Sequence, residues 1–447
     1  MAPAPDAAAD LLARIDDGRV KVGVIGLGYV GLPLAVAVAE RGYPVIAFDI
    51  DPAKIEALKA GRSYILHVPS QSVARLVTEE AFAPTGNFAR LAECDVIVIC
   101  VPTPLGRHRE PDLSFVVRTT ETVAAHLRAG QLIVLESTTY PGTTTGIVRP
   151  IVEARGFKSG LDVFLAYSPE REDPGNAEFS TASIPKVVGG DGEDALRLAA
   201  AFYAKIVATV VPVSSSETAE AVKLTENIFR AVNIALVNEL KVVYDAMGID
   251  IWEVVEAAKT KPFGFMPFYP GPGLGGHCIP IDPFYLSWKA REFDVTARFI
   301  ELAGEVNTRM PYHVVDRLAE ALDREHCRAM TGAKILVLGL AYKKNVDDTR
   351  ESPSLKLIEL LEARGSQADY HDPFVPVIPT TREHGHLAGR LSVPLEPVVV
   401  AGYDAVLIAT DHDGVDYGAL VRSARLVIDT RNACGRAGIA DSKVIKA

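Results

Sequence analysis

The sequence predicts an α/β protein with two parallel-sheet domains, a long central helix between them and a helical dimerisation region. Three observations indicate this fold. A glycine-rich turn follows an apolar strand near residue 25, and strands alternate with helices after it. A stretch without Gly or Pro covers residues 219–247, and a second alternating segment opens at residue 334. The length agrees, because 447 residues exceed what one hydrophobic core usually holds.

The amino-terminal turn predicts a dinucleotide site. An apolar strand begins at residue 21, a helix of small residues covers 32–41, and a second strand (44–48) ends in Asp49. Three glycines with GxGxxG spacing follow the first strand: Gly26, Gly28 and Gly31. Such glycines permit a tight turn, and the amino terminus of the helix then faces a pyrophosphate. A glycine turn that binds nothing is the alternative, but strand, turn, helix, strand and acid in this order favour a Rossmann-like domain.

Asp49 predicts which dinucleotide binds. Its carboxylate is placed to accept hydrogen bonds from ribose hydroxyls, and its charge would repel a 2′-phosphate. NAD is therefore expected rather than NADP. The first twenty residues are expected to form a partly helical, dispensable extension.

Further strands follow, and polar segments stand at their ends. Strands are predicted over 95–101, 131–136 and 162–167, with closing strands over 186–189 and 208–213. Hydroxyl groups, prolines or acids follow each of the first three. Ligands of doubly wound sheets bind beyond the carboxyl ends of the strands, so these segments are candidates for the site.

The central stretch predicts a helix roughly 45 Å long that joins two domains and offers a dimer surface. Lys223 and Asn227 are four residues apart, so they share one face of this helix. The ordinary interpretation of a helical lysine is a solvated charge, but apolar residues surround both. Further helices are predicted over 249–261 and 295–322.

Residues 271–283 form a loop of glycines and prolines around Cys278. Gly-Gly permits close approach of the backbone, and prolines restrict the shape of the loop. A thiol held in this way suits nucleophilic chemistry, although a small buried hydrophobe is the commoner use of cysteine. Adjacent residues of an extended loop point in opposite directions, so a substrate or structural role is favoured for His277 over a Cys–His pair.

The carboxyl-terminal segment predicts a second Rossmann-like half that lacks GxGxxG. This unit opens at 334–343, and strands are expected to follow at 367–371, 405–409 and 426–429, with a helix over 354–364. Cationic residues stand near the predicted strand ends: Lys343, Lys344, Arg350 and Arg431. Such groups suit a nucleotide diphosphate, although each arginine alone is weak evidence.

Composition excludes several classes of function. A net charge of −11 argues against binding to nucleic acid, and no apolar run approaches the ~18 residues of a membrane span. The five cysteines show no metal-like or paired spacing, so no metal is expected. Without an apparent export signal, we expect a cytoplasmic protein with reduced thiols.

Eight motifs in one order resemble the UDP-sugar 6-dehydrogenases. They are VGVIGLGYVGLP (22–33), VPTP (101–104), ESTTYPG (136–142), SPER (168–171), KLTEN (223–227), GGHCIPIDP (275–283), AYKKNVDDTRESP (341–353) and DTRN (429–432). This resemblance implies three domains over 21–213, 214–328 and 329–447, which bind NAD, carry the catalytic cysteine and bind UDP-sugar, respectively. It also implies a homodimer or higher homo-oligomer.

The resemblance also implies roles for individual residues. Cys278 is the nucleophile, Lys223 and Asn227 stabilise oxyanions, Asp282 assists them, and Thr138 and Glu170 organise water and proton transfer. The implied contacts to the cofactor are Gly26, Gly28, Tyr29, Val30, Gly31, Asp49, Lys54, Val101, Thr103, Ser137, Thr138 and Arg350. The implied contacts to the substrate are Glu170, Arg171, Lys223, Asn227, Gly275, Tyr342, Lys343 and Arg431.

The implied reaction oxidises a primary alcohol to a carboxylate and consumes two NAD. The glucose-oxidising branch has a second acid where this chain has Pro174. The local motifs therefore resemble the branch that oxidises UDP-N-acetylglucosamine, with UDP-N-acetylmannosamine and UDP-glucose as alternatives; the sugar itself stays open. A β-hydroxyacid dehydrogenase would yield one NADH and need no cysteine. A non-catalytic sensor would have lost a catalytic position, and none is lost.

Overall fold

The computed structural model describes residues 6–65, 68–106, 109–171, 183–276, 278–381 and 383–447. Two residues considered above, Pro174 and His277, lie outside the described residues, as does the start of the predicted extension. The chain divides into two compact units. Unit 1 comprises Met1–Glu226 and Phe284–Thr296, and unit 2 comprises Asn227–Pro283 and Ala297–Ala447.

Unit 1 is built on a sheet that has eight strands among its described residues. They are β1 (Val22–Ile25), β2 (Val45–Phe48), β3 (Phe82–Thr85), β4 (Val96–Ile99), β5 (Gln131–Leu135), β6 (Val163–Tyr167), β7 (Lys186–Gly190) and β8 (Val210–Pro212). Their order is β3-β2-β1-β4-β5-β6-β7-β8, and the β6–β7 pair is antiparallel while the other pairs are parallel.

The register of this sheet aligns the strand ends that precede the polar segments. Ile25 pairs with Phe48 on one side and with Ile99 on the other, and Ile99 pairs with Leu135. Every residue of β1, β2, β4, β5 and β6 is buried. Strands covered on both faces read as unbroken apolar runs, which is why the sequence predicted them.

Among the described residues, seven α-helices lie wholly within unit 1. They are α1 (Ala7–Asp16), α2 (Gly31–Glu40), α3 (Pro52–Lys59), α4 (Ser70–Thr78), α5 (Ser114–Ala125), α6 (Arg149–Glu153) and α7 (Glu193–Ala204). The expectation of a dispensable extension conflicts with α1. Leu11 and Ile15 are fully buried in the core, and the carbonyl oxygen of Ile15 accepts a 3.1 Å hydrogen bond from the hydroxyl of Tyr43.

Unit 2 is built on an all-parallel sheet, with five strands among its described residues. They are β9 (Lys334–Leu338), β10 (Gln367–His371), β11 (Ala405–Ile408), β12 (Val427–Asp429) and β13 (Val444–Lys446), in the order β10-β9-β11-β12-β13. The sequence did not predict β13, which is short and half-buried. The α/β class and the two parallel sheets are confirmed.

The remaining helices follow in chain order. They are α8 (Ser216–Met247), α9 (Ile251–Ala258), α10 (Asp282–Ala290), α11 (Arg298–His326), α12 (Pro353–Ala363), α13 (Pro397–Val400), α14 (Tyr417–Ser423) and α15 (Ala433–Arg436). The unit boundary falls within α8 and α10. Helix α8 has 32 residues and confirms the predicted long helix, although it begins three residues earlier than predicted, at Ser216.

A buried amide pair joins the two long helices inside unit 2. The Nδ2 atom of Asn238 on α8 donates to Oδ1 of Asn307 on α11 at 2.8 Å, and Nδ2 of Asn307 donates to the carbonyl oxygen of Ala231 at 3.1 Å. Pro311 lies inside α11, which nevertheless continues for 15 further residues to His326. The amide pair therefore fixes α11 against α8 close to the turn that lacks a backbone donor.

Across the described ranges, no helix combines the length and apolarity that crossing a bilayer requires. The described side chains also contain no group of three or more His, Cys, Asp or Glu residues that could hold a metal ion.

Candidate active site

In the glycine turn after β1, surrounding backbone leaves no room for a side chain at two of the three glycines, whereas the third faces free space. Gly26 has φ 91°, and a Cβ there would lie 2.5 Å from the carbonyl oxygen of Cys100. A Cβ on Gly31 would lie 1.8 Å from the carbonyl oxygen of Gly26. A Cβ on Gly28 would meet no atom within 4 Å. Backbone packing requires the first two glycines, whereas Gly28 faces space in which a pyrophosphate could approach the main chain.

Asp49 holds this turn. Its Oδ2 atom accepts a 2.8 Å hydrogen bond from the N–H of Leu27, and its Oδ1 atom accepts one of 2.9 Å from the N–H of Asp51. The ammonium group of Lys54 lies 3.3 Å from Oδ2. A carboxylate has acceptor sites for several donors, so these contacts are compatible with ribose hydroxyls as additional donors.

Sequence reasoning missed Tyr64, whose hydroxyl donates a 2.6 Å hydrogen bond to the carbonyl oxygen of Leu27 in the same turn. Burial, with help from the charges of Asp49 and Asp51, raises the pKa of this hydroxyl, which keeps it a donor. No sequence motif marks this position, because the segment between α3 and α4 has no regular pattern.

The other predicted cofactor residues of unit 1 stand at the same edge of the sheet. Tyr29 and Val30 lie directly before α2, at the positive end of its dipole. Val101 and Thr103 follow β4, and Ser137 and Thr138 follow β5. The hydroxyl of Ser137 donates to the carbonyl oxygen of Val101 at 2.8 Å, which ties the two segments together. This edge fits a dinucleotide. Arg350, the remaining cofactor residue, belongs to unit 2.

Glu170 and Lys223 are brought together inside unit 1. The ammonium group of Lys223 donates to the carbonyl oxygen of Glu170, and both residues are buried. Arg171, the next residue, forms a 2.6 Å ion pair with Glu226. Lys223 is therefore not a solvated surface charge. Its burial favours a functional role over the ordinary interpretation of a helical lysine as a surface residue.

A second buried lysine, Lys186 on β7, lies between two carboxylates. Its Nζ atom is 3.1 Å from Oε1 of Glu136 and 3.5 Å from Oε2 of Glu170. The hydroxyl of Tyr203 on α7 donates to Oε1 of Glu136. Burial raises the pKa of Glu136, while the two carboxylates outweigh burial and raise the pKa of Lys186. Sequence reasoning missed Lys186, although its position in an otherwise apolar strand was a signal.

Helix α8 also holds Glu220, a fully buried acid that sequence reasoning missed. Its carboxylate accepts hydrogen bonds from the N–H of Gly142 at 2.6 Å, the N–H of Thr144 at 2.9 Å and the hydroxyl of Thr144 at 2.7 Å. Burial outweighs these bonds and raises the pKa of Glu220 to about 7. Glu220 therefore anchors the segment that follows the predicted water-organising residue Thr138.

The cysteine segment belongs to unit 2 and ends in a helical turn. The carbonyl oxygen of Cys278 accepts hydrogen bonds from the N–H of Ile281 at 3.1 Å and from the N–H of Asp282 at 2.8 Å. The loop predicted to reach residue 283 therefore gives way to α10 at Asp282. The signal for this start was a carboxylate in the first helical turn followed by proline.

Asn227 and Asp282 are brought together in unit 2. The Nδ2 atom of Asn227 donates to Oδ2 of Asp282 at 2.6 Å, and both side chains are buried. Cys278, half-buried, precedes Asp282 by four residues. Hydrogen bonds thus connect Asn227 to Asp282, and Asp282 to the main chain of Cys278.

The two glycines before the cysteine lie against Tyr342. A Cβ on Gly275 would lie 2.5 Å from Cβ of Tyr342, and one on Gly276 would lie 2.9 Å from Cε2 of its ring. Gly276 has φ 84° and donates its N–H to the carbonyl oxygen of Arg350 at 2.9 Å. The glycines are therefore needed for the cysteine segment to contact residues 341–353, as the prediction of close approach requires.

Cationic residues predicted to bind substrate stand near the same segment. A Cβ on Gly271 would lie 2.5 Å from Nη1 of Arg431, whose Nε atom donates to the carbonyl oxygen of Ala409 at 3.0 Å. Burial lowers the pKa of Arg431 against the opposing charge of Asp411. Lys343, which directly follows Tyr342 in the sequence, is half-buried. Lys344, by contrast, is exposed and forms a 3.0 Å ion pair with Asp413, so its charge is already matched.

Arg350 is also partly neutralised inside unit 2. Its Nη2 atom lies 2.7 Å from Oδ2 of Asp348, and its Nε atom donates to the same carboxylate. This bidentate pair fixes the guanidinium group, whose predicted contact to the cofactor stays a prediction.

The turn after β9 uses an acid in the way that Asp49 is used in unit 1. Oδ2 of Asp372 accepts from the N–H groups of Leu340 (2.6 Å) and Ala341 (2.8 Å), and Nε2 of the buried His412 lies 3.1 Å away. Nδ1 of His412 accepts from the N–H of Asn345, so Nε2 carries the proton. Sequence reasoning missed both residues, since no motif spans their separation.

Comparison with known proteins matches all three parts of the chain to one family. The NAD binding domain of the UDP-glucose/GDP-mannose dehydrogenase family matches residues 20–207, its central domain matches 217–309, and its UDP binding domain matches 336–436.

Individual relatives agree. UDP-N-acetyl-D-glucosamine 6-dehydrogenase of Pseudomonas aeruginosa is 36% identical over 395 residues, which cover 88% of this chain and 90% of the relative. UDP-N-acetyl-D-mannosamine dehydrogenase of Pyrococcus horikoshii is 35% identical over 419 residues, 92% of this chain and 96% of the relative. A solved structure of the UDP-D-ManNAc dehydrogenase from Pyrococcus horikoshii superimposes with a TM-score of 0.84 at 35% identity, covering 92% and 96% of the two chains.

These matches confirm the resemblance seen in the motifs and the cofactor expected from Asp49 and the glycine turn. The chain belongs to the UDP-glucose/GDP-mannose dehydrogenase family and is an oxidoreductase whose cofactor is NAD.

Proposed function

We propose that the protein oxidises the C6 hydroxymethyl group of a UDP-N-acetylhexosamine, in the first place UDP-N-acetylglucosamine, to the uronic acid for polysaccharide biosynthesis. Two NAD are reduced in each turnover, and Cys278 carries the intermediate. The observation that carries this proposal is the buried hydrogen bond between Asn227 and Asp282. Asp282 follows Cys278 by four residues in the sequence. A β-hydroxyacid dehydrogenase has no use for such a cysteine.

The first step takes the alcohol to an aldehyde. When bound, NAD would accept the hydride of each oxidation, one molecule of NAD for each step. Lys223 and Asn227, one turn apart on α8, stabilise the oxyanion that forms when the alcohol loses its proton. The contact of Lys223 with the carbonyl oxygen of Glu170 supports this role, because it orients the ammonium group before substrate binds.

The second step needs the thiol. The Cys278 thiolate adds to the aldehyde carbon, and the resulting thiohemiacetal loses hydride to become a thioester. Water then attacks the thioester carbon, the carbon–sulfur bond breaks, and the carboxylate and the thiol are released. A tetrahedral adduct donates hydride readily, whereas a free aldehyde does not, which is the chemical reason for a covalent intermediate.

Water must be oriented for the last step. We assign this role to Glu170 and Thr138, as the family resemblance implies. Support comes from the position of Glu170, which is 9% exposed and receives Lys223 at its carbonyl oxygen and Lys186 at its carboxylate. A buried residue held by one ammonium group at its main chain and by another at its carboxylate keeps a defined orientation, which suits a general base.

Binding of the nucleotide is assigned to unit 2. Arg171, Glu170, Lys223 and Asn227 are proposed to contact the sugar. Gly275, Tyr342, Lys343 and Arg431 are proposed to contact the UDP-sugar, and Arg350 the cofactor side. The close packing of Gly275 against Tyr342 supports a shared surface for these groups. Arginine and lysine at this place suit a diphosphate.

The assembly is proposed to be a homodimer or a higher homo-oligomer, and its location cytoplasmic, where thiols stay reduced. Support for self-association comes from α8, where Leu236, Val243 and Met247 are 51%, 46% and 64% exposed on one helical face. The domain limits 21–213, 214–328 and 329–447 also stay proposals. Light scattering on a purified variant with Leu236→Glu and Val243→Glu tests whether this exposed face of α8 mediates self-association. The double substitution should yield monomers.

A second candidate is the oxidation of UDP-N-acetylmannosamine, which the relative from Pyrococcus horikoshii favours at 35% identity. UDP-glucose is the third. NADH should be counted for each of the three substrates at limiting concentration. Two NADH per UDP-N-acetylglucosamine, with slower turnover of the others, would support the proposal. One NADH per substrate would contradict the thioester mechanism, and preference for another sugar would reassign the substrate.

A further inference from the structure

Two lysines contact Glu170, one at its main chain and one at its carboxylate, and the proposed function assigns a chemical role only to Lys223. Lys223 donates to its carbonyl oxygen, while Nζ of Lys186 lies 3.5 Å from its carboxylate. Lys186 is 5% exposed and stands on β7, so its side chain has little room to reorient. The carboxylate proposed to activate water therefore has a fixed cation beside it.

The same ammonium group also faces Glu136, which is 1% exposed and receives the hydroxyl of Tyr203. Two carboxylates around one ammonium carry a net negative charge when both are ionised. Among the described side chains, Tyr203 and Cys100 are the other titratable groups that face Lys186. Without the cation between them, the two buried carboxylates would repel each other.

We propose that Lys186 is a positioning residue for the hydrolysis of the thioester, which keeps the carboxylate of Glu170 in a fixed orientation for the attacking water. This inference rests on the proposed function. In the step itself, water loses a proton to Glu170 while its oxygen bonds to the thioester carbon, and the sulfur of Cys278 leaves as thiolate. Lys186 takes no proton in this step and acts through the carboxylates beside it.

A purely structural role is the competing explanation, in which Lys186 only neutralises Glu136. The double variant Lys186→Met, Glu136→Gln distinguishes the two explanations. This variant removes one positive and one negative charge and leaves amide and methionine in place of the buried ion pair. It should fold even where the single Lys186→Met variant does not. If Lys186 matters only through Glu136, the double variant regains full activity.

The experiment mixes enzyme with excess NAD and UDP-N-acetylglucosamine and follows NADH together with the intact protein mass. We expect the double variant to release a burst of up to two NADH per active site and then turn over on the order of 10²-fold more slowly than wild type. A covalent adduct at Cys278 should accumulate with the mass of the acyl-enzyme. Lys186→Arg, which keeps the charge, should recover a large part of the hydrolysis rate.

Tyr203→Phe is the matched control. It removes a hydrogen bond to Glu136 inside the same cluster but leaves the cation beside Glu170, so its kcat should stay within a few-fold of wild type. A double variant with wild-type kcat, or a slow one without an accumulating adduct, would overturn the role of Lys186. If wild type itself formed no NADH from any UDP-sugar, the proposed function would fail instead, whatever the variants did.

Discussion

Asn227 and Asp282 are hydrogen-bonded to each other although 55 residues separate them in the chain. A carboxylate only accepts, so the amide of Asn227 must present its N–H to Oδ2 at 2.6 Å. The N–H of Asp282 in turn donates to the carbonyl oxygen of Cys278 at 2.8 Å. One acid therefore orients both the helical amide and the turn that carries the thiol.

Replacement of this acid should lower catalysis more than binding. In Asp282→Ala the amide of Asn227 loses its partner and its fixed orientation toward the oxyanion. We expect kcat to fall on the order of 10²-fold, with KM for the UDP-sugar changed only a few-fold. Steady-state kinetics with saturating NAD measure this. A rise in KM at unchanged kcat would instead assign Asp282 to substrate binding.

Cys278→Ser should separate binding from oxidation. The hydroxyl is a much weaker nucleophile, so formation of the uronic acid should fall by at least about 10³-fold while NAD and UDP-sugar still bind. Calorimetric titration and chromatography of the product check the two parts. Cys327→Ser, at an exposed cysteine, is the control and should behave as wild type. Uronic acid produced at a near-normal rate by the Cys278 variant would refute the covalent mechanism.

Lys223→Ala should lose transition-state stabilisation. The ammonium group is buried and oriented by the carbonyl oxygen of Glu170, so its removal should lower kcat on the order of 10²- to 10³-fold. KM should change little. Lys205→Ala removes a partly exposed lysine that pairs with Asp16, and its kcat should stay at the wild-type value. An effect of the Lys223 substitution confined to KM would argue against an oxyanion role.

Gly276→Ala should destabilise unit 2 and displace the cysteine segment. Both Gly276 (φ 84°) and Gly264 (φ 68°) have backbone conformations that disfavour alanine, but only at Gly276 would the new Cβ meet a ring, 2.9 Å from Cε2 of Tyr342. Gly264→Ala is the matched control, with no atom within 4 Å of its Cβ. We expect the Gly276 variant to unfold with about 1–2 kcal/mol less free energy than the control and to lose kcat. Denaturant titration compares the two; equal losses would show that Tyr342 yields without cost.

Glu220 should make stability depend on pH. Its pKa is raised from 4.5 to about 7, so the folded state binds the proton more tightly than the unfolded chain. This contribution is complete below pH 4.5 and is lost as pH rises to about 7. The loss amounts to about 3 kcal/mol at most. Glu220→Gln cannot ionise, so the difference in unfolding free energy between variant and wild type should shift in favour of the variant over this range. A difference that stays constant from pH 5 to pH 8 would contradict the raised pKa.

The sheet strands of unit 1 were predictable because burial on both faces leaves continuous apolar runs, as in β4 and β5. The long helix was predictable because Gly and Pro are absent from its central stretch. The start of α10 at Asp282 had only the Asp-Pro signal and was missed, and the packing of α1 into the core had no local signal. Neither short element has a decisive pattern of its own, and both owe their place to contacts with distant parts of the chain.

The sequence by itself determined the α/β class, the dinucleotide turn with its acid, the family and the candidate residues from Cys278 to Lys223, because motifs and hydrophobic periodicity are local properties. Only the tertiary structure decided that Asn227 meets Asp282 and that Lys186 stands between Glu136 and Glu170. These partners lie on different strands, helices and loops. A charge buried in a low-dielectric interior needs a partner, so such contacts are required for stability. No local sequence pattern shows which distant residue the partner is.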